Sequence, residues 1–505
     1  MNNSALHDAR LALISTGAPY LTTPTCIAII VPVLLLVFAS TLAHSQEVED
    51  ETKPAKLPGS SLLAIFPFFN RRFDFINSGF RLTGKNIFQF NLLRKTVVIV
   101  SGETARTEFF SNKYFDLTEG VRILSGAIPI IKGVTSGSQT KRIATIHKRL
   151  QALQRNEPLT RLMPQMLDDA QRMMGSWGQS GQFDPFEKIY EVTFQTTIRS
   201  LSCCEIADDP VMVARLKKLY DKLENGTTPA TILVPWIPTP AMIAKVWATK
   251  EIYDIVTAAI KQREESGIER DDTLQMLLEF KDEKLIVVGF IMGLLVAGAR
   301  ATGSTACWLL TFLGGHHDWR DKLREELEHL ISIHTLLGDE DASLSRRLSA
   351  IPLETWESST PVLDCLIRET LRLAQTHTAM RRNDGPDAYI DGKRVPAGAF
   401  AVYPFSDVHL DAAIYPEPYK FDPSRPLTTT PLGYIGWGGG QTTCPGQRLA
   451  RVELKLITAM FVLGFDHEFV DKKGAPAPLP TPNWNEVLPP RGSCYLRYSR
   501  TKVAL

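Results

Sequence analysis

The chain has 505 residues, of which 44% are hydrophobic and 22% are charged, with 33 glycines and 32 prolines. This composition excludes a disordered chain, a collagen and a small disulfide scaffold, and it is typical of a globular protein with a large core. The 56 basic and 55 acidic residues leave a net charge of +1, so no overall field would attract nucleic acid. Seven cysteines without a Cys-x-x-Cys pair favour a reducing compartment.

The segment 26–43 contains eighteen residues without a charge and is long enough to span a bilayer. We expect a membrane anchor there, with a cleaved signal peptide and a buried core helix as the alternatives. Pro32 argues against the core helix. The predicted organisation is an N-terminal tail at 1–25, the anchor at 26–43, a proline-bearing hinge at 44–58 and one large body at 59–505.

Apolar periodicity predicts long helices at about 140–154, 163–175, 186–201, 211–224, 241–265, 318–333, 361–374 and 447–463. Short strands are expected at 97–100, 388–391, 399–404 and 494–498. Neither an internal repeat nor a Gly/Ser linker divides the body. The sequence therefore predicts a mainly α fold with small β-sheets (α+β) in one body.

A second apolar stretch covers 285–313 and would be about 44 Å long as a helix. Arg300 lies near its middle, and four glycines interrupt it, two of which are Gly298 and Gly303. A charge at mid-membrane is costly, and glycines permit close approach of a neighbouring group. We therefore expect a buried central helix rather than a second membrane span.

The most informative segment is a glycine-rich turn at 437–450 that places Cys444 at the start of an apolar helix. Exposed backbone N–H groups and a helix N-terminus favour a thiolate there. Glycines permit positive φ and the close approach of a large planar ligand. A structural cysteine in a loop is the simpler alternative.

This turn resembles the haem-binding loop of the cytochrome P450 family, in which an aromatic residue, two glycines and the cysteine have fixed spacing. Trp437, Gly440, Cys444 and Gly446 occupy those places. The resemblance implies a P450-like fold with an N-terminal transmembrane helix. It also implies haem b (iron protoporphyrin IX) as cofactor, with Cys444 as the axial iron ligand. Thr442 stands where the family has a basic residue that contacts a haem propionate.

Two further motifs match the family in order and distance. Glu369 and Arg372 form a Glu-x-x-Arg motif, in which a spacing of three places both side chains on one helix face. Arg425 ends a segment that resembles the family's Pro-x-Arg. By resemblance these three residues form a buried triad that holds the backbone around the cysteine loop, because a buried charge is tolerated only when it is paired.

The central helix departs from the family's acid-alcohol pair, which delivers protons during oxygen activation. Arg300 replaces the acid, Ala301 replaces the hydroxyl residue, and Thr302 lies one position further along. These three residues are the expected catalytic relay region. Protons would then come from water, Thr302 or a substrate hydroxyl. Arg300 either contacts a substrate carboxylate or carbonyl, pairs with another helix, or faces solvent.

The missing relay leaves more than one chemistry open. The first hypothesis is a monooxygenase that oxidises a small apolar organic substrate, lipid-like, terpenoid or aromatic, using O2 and electrons from a reductase. The alternatives are a reductase-independent isomerase or dehydratase that acts on a peroxide, an oxidative cyclase, and a membrane-anchored haem carrier or sensor. The irregular central helix is the reason for expecting a role in secondary metabolism.

The haem propionates need other cations, and the candidates are His147, Lys148, Arg381 and Arg382. After the cysteine, one helix face carries three basic residues with helical spacing, Arg448, Arg451 and Lys455. This stripe is a candidate docking surface for an NADPH-cytochrome reductase, a flavoprotein, and a solvated surface is the alternative. By family position, substrate contacts are expected in 117–129, 294–302, 375–380 and 484–488. The expected location is the endoplasmic reticulum membrane, with one span and a cytosolic catalytic domain.

Overall fold

The structure, a computed structural model, describes residues 50–125, 139–335, 341–374, 377–486 and 492–502. The predicted tail and anchor lie outside the described residues, as does the hinge before residue 50. The described chain is rich in helices with three small sheets, which confirms the predicted mainly α class.

The helices form most of the core. They are α1 (Ser61–Asn70), α2 (Arg72–Thr83), α3 (Glu103–Ser111), α4 (Leu117–Ser125), α5 (Gln139–Leu153), α6 (Asn156–Gly175), α7 (Pro185–Leu201), α8 (Cys204–Ala207), α9 (Pro210–Asn225), α10 (Pro229–Leu233), α11 (Pro240–Ser266), α12 (Thr273–Glu279), α13 (Lys284–Gly315), α14 (His317–His334), α15 (Leu344–Ser349), α16 (Leu353–Ser358), α17 (Pro361–Ala374), α18 (Ser406–His409) and α19 (Gln447–Gly464).

The strands are β1 (Ala55–Lys56), β2 (Ile87–Leu92), β3 (Lys95–Val100), β4 (Phe115–Asp116), β5 (Ser180–Phe183), β6 (Thr378–Asn383), β7 (Ala388–Ile390), β8 (Lys393–Val395), β9 (Phe400–Pro404), β10 (Phe465–Val470) and β11 (Tyr495–Arg500). The largest sheet has the order β1-β2-β3-β9-β6-β4, with parallel pairing of β1 with β2 and of β3 with β9. A three-stranded sheet has the order β10-β11-β5, and β7 pairs with β8. Because β3 and β9 are about 300 residues apart in sequence, the sheet ties the N-terminal part to the C-terminal half.

Local capping explains where several long helices begin. Asp184, Asp209 and Thr239 each precede a proline, and each side chain accepts a hydrogen bond from a backbone N–H of the first helical turn. A proline at the first helical position loses no hydrogen bond, and a polar side chain before it satisfies a free N–H group. All three helices begin within one residue of the positions predicted from periodicity.

The second apolar stretch is helix α13, which lies in the centre of the molecule. It packs against α7, α17 and α19, so the expectation of a buried central helix is confirmed. Among the described residues it is the one helix whose length and composition also fit a membrane span. At Gly303 a β-carbon would come within 2.7 Å of the Tyr190 ring, so this glycine allows α7 to approach closely.

Candidate active site

The cysteine loop is a tight turn fixed by its own backbone. The Cys444 N–H donates to the Trp437 carbonyl with an N···O distance of 2.7 Å. Gly438 and Gly440 have φ of 82° and 56°, and a β-carbon at Gly438 would lie 2.7 Å from the Thr442 carbonyl oxygen. Only glycine adopts this path without strain. Helix α19 then begins three residues after the cysteine.

Cys444 faces a cavity of about 320 Å³ between its own loop and the central helix. Larger hollows near β10 and beside α19 are open surface grooves. Most of the cavity wall is apolar, and one wall is a single face of α13. That face consists of Leu294, Ala297, Gly298, Ala301, Thr302 and Thr305, positions that helical spacing places on one side. An apolar cavity with few polar groups is the usual form of a small-molecule site.

The Cys444 side chain keeps accessible surface, and that surface faces the cavity and the neighbouring groove. The surrounding protein raises the pKa of its thiol by burial, whereas the Gly446 N–H lowers it. Burial has the larger effect, so on balance the pKa of the thiol is raised. A cationic partner in the cavity would reverse this balance, because a positive charge close to the sulfur favours the ionised form.

Glu369, Arg372 and Arg425 lie together in one cluster. The Arg372 guanidinium forms two bonds of 2.8 Å to the Glu369 carboxylate, and Arg425 Nε lies 3.2 Å from Glu369 Oε1. Arg372 also donates to the carbonyls of His409 and Pro418, at 2.6 and 2.7 Å. The pair Glu369 and Arg372 is buried. These bonds hold the chain before the cysteine loop in place.

The expected relay region divides between two sides of the central helix. Arg300 is ion-paired with Glu224 of helix α9 and does not line the cavity, so of its open interpretations the pairing with another helix fits. Burial lowers the pKa of Arg300. Ala301 and Thr302 do line the cavity. Among the described residues the Thr302 hydroxyl has no hydrogen-bond partner, whereas Thr305 donates to the Ala301 carbonyl at 2.7 Å.

Comparison with known proteins decides the family. The cytochrome P450 family model matches residues 59–496. The chain belongs to the cytochrome P450 family. It is 28% identical over 459 residues to cytochrome P450 monooxygenase AacuE from Aspergillus aculeatus, covering 88% of this chain and 90% of the relative. It is 26% identical to bovine lanosterol 14-alpha demethylase over 443 residues, covering 85% and 83%.

Among solved structures, the retinoic-acid-bound cyanobacterial CYP120A1 matches with a TM-score of 0.67 at 21% identity, covering 89% of this chain and 99% of that one. This likeness shows the P450 fold. The resemblance drawn from the cysteine loop is thus confirmed at the level of the family, and the protein is an oxidoreductase enzyme of the P450 monooxygenase family. Members of this family bind haem through a thiolate and typically use a redox partner and a small-molecule substrate.

The structure separates the four candidate propionate partners of this P450. Arg381 is buried and lines the cavity, and its Nη2 donates to Thr442 Oγ1 at 2.7 Å. His147 and Lys148 are exposed and do not line the cavity. Arg382 is half-buried and faces Glu119 and Asp384, at 3.6 and 3.3 Å.

Arg381 has an unusual environment for a buried guanidinium. No carboxylate among the described residues lies within ion-pair distance of it, although the charge of Asp116 acts on it from further away. Burial lowers its pKa to about 10. A buried cation without a paired anion is costly. Its orientation into the cavity fits an anionic group of a bound ligand.

The basic stripe after the cysteine is largely neutralised, and one prediction about it is wrong. Lys455 is buried, with Nζ 2.8 Å from Asp364 Oδ1, so it cannot belong to a docking surface. Arg451 binds the same carboxylate at 2.8 Å. Arg448 pairs with Glu357 at 2.5 Å. Helical spacing places basic residues on one face, but the pattern does not reveal which acids another helix brings to that face.

Glu453 is a cavity residue that the sequence analysis missed. It lies on α19, and its Oε1 accepts hydrogen bonds from Thr196 and Thr197 of α7, at 2.6 and 2.8 Å. The side chain is buried and has no ion pair among the described residues. Burial raises the pKa of Glu453 to about 7. Glu453 therefore holds a proton near neutral pH at the cavity wall.

Proposed function

We infer that this P450 is a haem-thiolate monooxygenase that oxidises a small apolar substrate with O2 and electrons from an NADPH-cytochrome reductase. The observation that carries this proposal is the position of Cys444, whose sulfur faces an apolar cavity that is closed on the opposite side by the central helix. Residues of the central helix and of the cysteine loop meet across one space, as the reaction requires.

The residues of the cavity fit haem b. Cys444 would bind its iron, and Arg381 would hold a propionate, since no described carboxylate pairs with this buried cation. Thr442, which departs from the family pattern, contributes by accepting the hydrogen bond from Arg381. Trp437 and Gly446 complete the lining near the sulfur. The haem supplies the redox chemistry that activates dioxygen.

The chain's own residues provide positioning, exclusion of water and protons. Apolar side chains of the cavity exclude water, which strengthens electrostatic interactions inside. The Thr302 hydroxyl, which no described residue engages, can donate a hydrogen bond into the cavity. Glu453, which has a pKa of about 7, can hold and release a proton at the same wall. These two groups stand in for the acid-alcohol pair that Arg300 and Ala301 do not provide.

A reductase-independent isomerase, dehydratase or cyclase is the second candidate. Arg300 points away from the cavity toward Glu224, and Ala301 offers no hydroxyl, which suits a substrate that carries its own O–O bond. Two assays separate the candidates. One supplies reductase, NADPH and O2, and the other supplies an organic peroxide without O2. Product in the second assay alone would reject monooxygenation.

An exposed apolar patch supports membrane attachment of the body. Leu63 and Phe66 of α1 are 70% and 68% exposed, and Trp236 and Trp247 are 75% and 69% exposed. Helix α1 packs against α10, which ends three residues before Trp236. Large exposed apolar patches mark interaction or membrane sites. With the anchor predicted at 26–43, these exposed side chains favour an endoplasmic reticulum membrane protein with a cytosolic body.

The ligand assignment has a direct test. The reduced carbon monoxide difference spectrum of the holoprotein should show the red-shifted Soret band of thiolate ligation, and Cys444→Ala should abolish it. Cys365→Ala is a matched control, since this cysteine is half-buried outside the cavity and its removal should leave the band unchanged. A Cys444→Ala protein that retains the band would reject the assignment.

A further inference from the structure

The backbone bonds of the buried triad end on residues that precede the cysteine loop. Arg372 donates to the carbonyl of His409 at 2.6 Å, and Arg425 donates to the carbonyl of Pro416 at 2.6 Å. His409 is the last residue of the short helix α18. A further contact has to connect this anchored part of the chain to the loop that carries Cys444.

The His409 side chain makes such a contact. The Ile435 N–H donates to His409 Nε2, with an N···N distance of 3.0 Å. Ile435 lies two residues before Trp437, and its carbonyl accepts a hydrogen bond from the Gly438 N–H at 2.8 Å. His409 and Ile435 are both buried, so water does not compete for their bond. The imidazole thus fixes the chain where it enters the tight turn.

Aromatic neighbours fix the orientation of the His409 ring. Tyr434 stacks on the ring, with 5.4 Å between centroids and an interplanar angle of 27°. Phe405 meets the same ring edge-on, with 6.0 Å between centroids. The other ring nitrogen, Nδ1, is buried and has no hydrogen-bond partner among the described residues. The packing of the ring therefore sets the direction of the bond to Ile435.

The imidazole of His409 is neutral at neutral pH, as its role of acceptor requires. An N–H group donates to Nε2, so the ring proton is on Nδ1. Burial is the main cause that lowers the pKa of His409 to about 3, and the charges of Arg372 and Arg106 contribute. Protonation therefore does not remove the acceptor near neutral pH.

We propose that His409 is a positioning residue for the thiolate ligand, because it connects the triad, through Ile435, to the loop that holds Cys444. The proposal rests on the function proposed above, in which Cys444 binds the haem iron. Arg372 holds the backbone of His409, and the His409 ring holds Ile435. The turn that begins there closes with the bond donated by the Cys444 N–H. Groups behind a metal ligand orient the ligand and tune the metal.

Core packing alone is the alternative role for His409, and His467 provides a comparison. His467 lies in β10 and is 2% exposed, against 1% for His409. Its ring packs against Phe461 of α19, with 4.8 Å between centroids. Burial is again the main cause that lowers its pKa to about 3. The two histidines share burial and an uncharged ring, whereas the bond to Ile435 belongs to His409.

The test uses the full-length holoprotein. The variant His409→Phe keeps a planar ring beside Tyr434 and removes the acceptor. We expect the share of bound haem with the red-shifted Soret band, in the reduced carbon monoxide difference spectrum, to fall at least about threefold. Exchange of the Ile435 amide hydrogen, followed by mass spectrometry, should become at least about tenfold faster, since one buried hydrogen bond is lost. His467→Phe is the matched control and should change neither measurement.

Replacement by an amide separates the acceptor from the ring. The Gln side chain can bring its oxygen to the position of Nε2, whereas the shorter Asn side chain reaches only the position of Nδ1. His409→Gln should therefore keep most of the thiolate band and of the Ile435 amide protection. His409→Asn should lose both. This comparison decides the question even if the phenylalanine variant does not fold.

Wild-type values of both measurements in His409→Phe would overturn the proposal. An equal loss in His467→Phe would also overturn it, as would equal behaviour of the Gln and Asn variants, because each result would assign His409 to packing alone. Failure of the monooxygenase proposal is distinguishable, because it would appear as a missing thiolate Soret band in the wild-type protein.

Discussion

The two sides of the cavity are built differently. On the cysteine side, Glu369 and Arg372 are fixed by bidentate bonds, and Arg372 also binds two carbonyl oxygens. On the central-helix side, the Thr302 hydroxyl has no partner among the described residues, and Arg300 pairs with Glu224 on a helix outside the cavity. The bonds on the cysteine side leave little conformational freedom, whereas the central-helix side has polar groups available to a ligand. The difference indicates that ligand placement is fixed by the fold and that the chemistry is set by a few residues on α13 and α19.

Removing the charge of Glu369 on the cysteine side should have the largest effect on stability. Glu369→Gln leaves Arg372 buried without its paired charge, and removing one partner of a buried pair costs about 3–5 kcal/mol. We expect the free energy of unfolding, measured with urea, to fall by that amount and haem content to fall with it.

The matched control is Glu417→Gln, which removes an exposed carboxylate 3.6 Å from Lys420 in the same part of the chain. An exposed pair contributes at most about 1 kcal/mol. Equal stability losses in the two variants would show that the triad does not fix this region.

Substitution of Glu453 tests whether the cavity wall carries a titratable group. Its folded pKa of about 7 lies above the ordinary value of 4.5, so the folded state binds more protons than the unfolded state between these values. Stability due to this group is therefore full below pH 4.5 and is lost as the pH rises toward 7. The loss is about 3 kcal/mol at most, from the size of the pKa difference.

Glu453→Gln should remove this pH dependence, so the difference in unfolding free energy between wild type and variant should change in favour of the variant from pH 5 to pH 8. Urea unfolding at four pH values measures it. Thr196→Val removes one hydroxyl donor of this carboxylate and should raise the Glu453 pKa further. A difference that does not change with pH would show that Glu453 is ionised throughout this range.

The substitution Thr302→Val tests the role of a polar group on the central helix. Because the part of the chain that the structure describes offers this hydroxyl no partner, its loss should change stability by less than about 0.5 kcal/mol. We expect product formed per NADPH consumed to fall several-fold if this hydroxyl helps to deliver protons. Thr311→Val is the control, since Thr311 is buried in the same helix and bonds the Cys307 carbonyl at 2.7 Å. It should lose about 1 kcal/mol without a change in coupling. Unchanged coupling in Thr302→Val, together with reduced coupling in Thr311→Val, would exclude Thr302 from proton delivery.

The parts of the fold that local sequence determines could be predicted. Helix α17 has the bounds expected from periodicity, and α7, α9 and α11 begin at capped prolines. Strands β6 and β10 were not predicted, because each is stabilised by strands outside its local sequence window, β6 by β9 and β4, and β10 by β11. The cysteine loop, the Glu-x-x-Arg motif and the Pro-x-Arg segment could identify the family, since their residues and spacing can be read from the sequence.

Contacts between distant helices could not be predicted. The role of Glu453 depends on Thr196 and Thr197, more than 250 residues earlier. The burial of Lys455 depends on Asp364 of another helix. Periodicity locates the face of a helix, but it does not identify the groups that another helix packs against that face. The ion pair between Arg300 and Glu224 also joins two helices, so it could not be identified without the fold.

The smallest effect is expected on the surface beside the cysteine loop, where Arg448 and Arg451 remain candidates for contact with the reductase. Both are partly exposed and already paired with Glu357 and Asp364, so their net field is weak. Arg448→Gln should lower the rate of electron transfer from the reductase by no more than about threefold, with a smaller dependence on salt, because a rim charge acts mainly on association. Glu357→Gln, which frees the same cation, should raise the rate. Stopped-flow reduction under carbon monoxide at two ionic strengths measures both. Opposite signs for the two variants would support docking at this surface, whereas equal rates in wild type and both variants would place the reductase elsewhere.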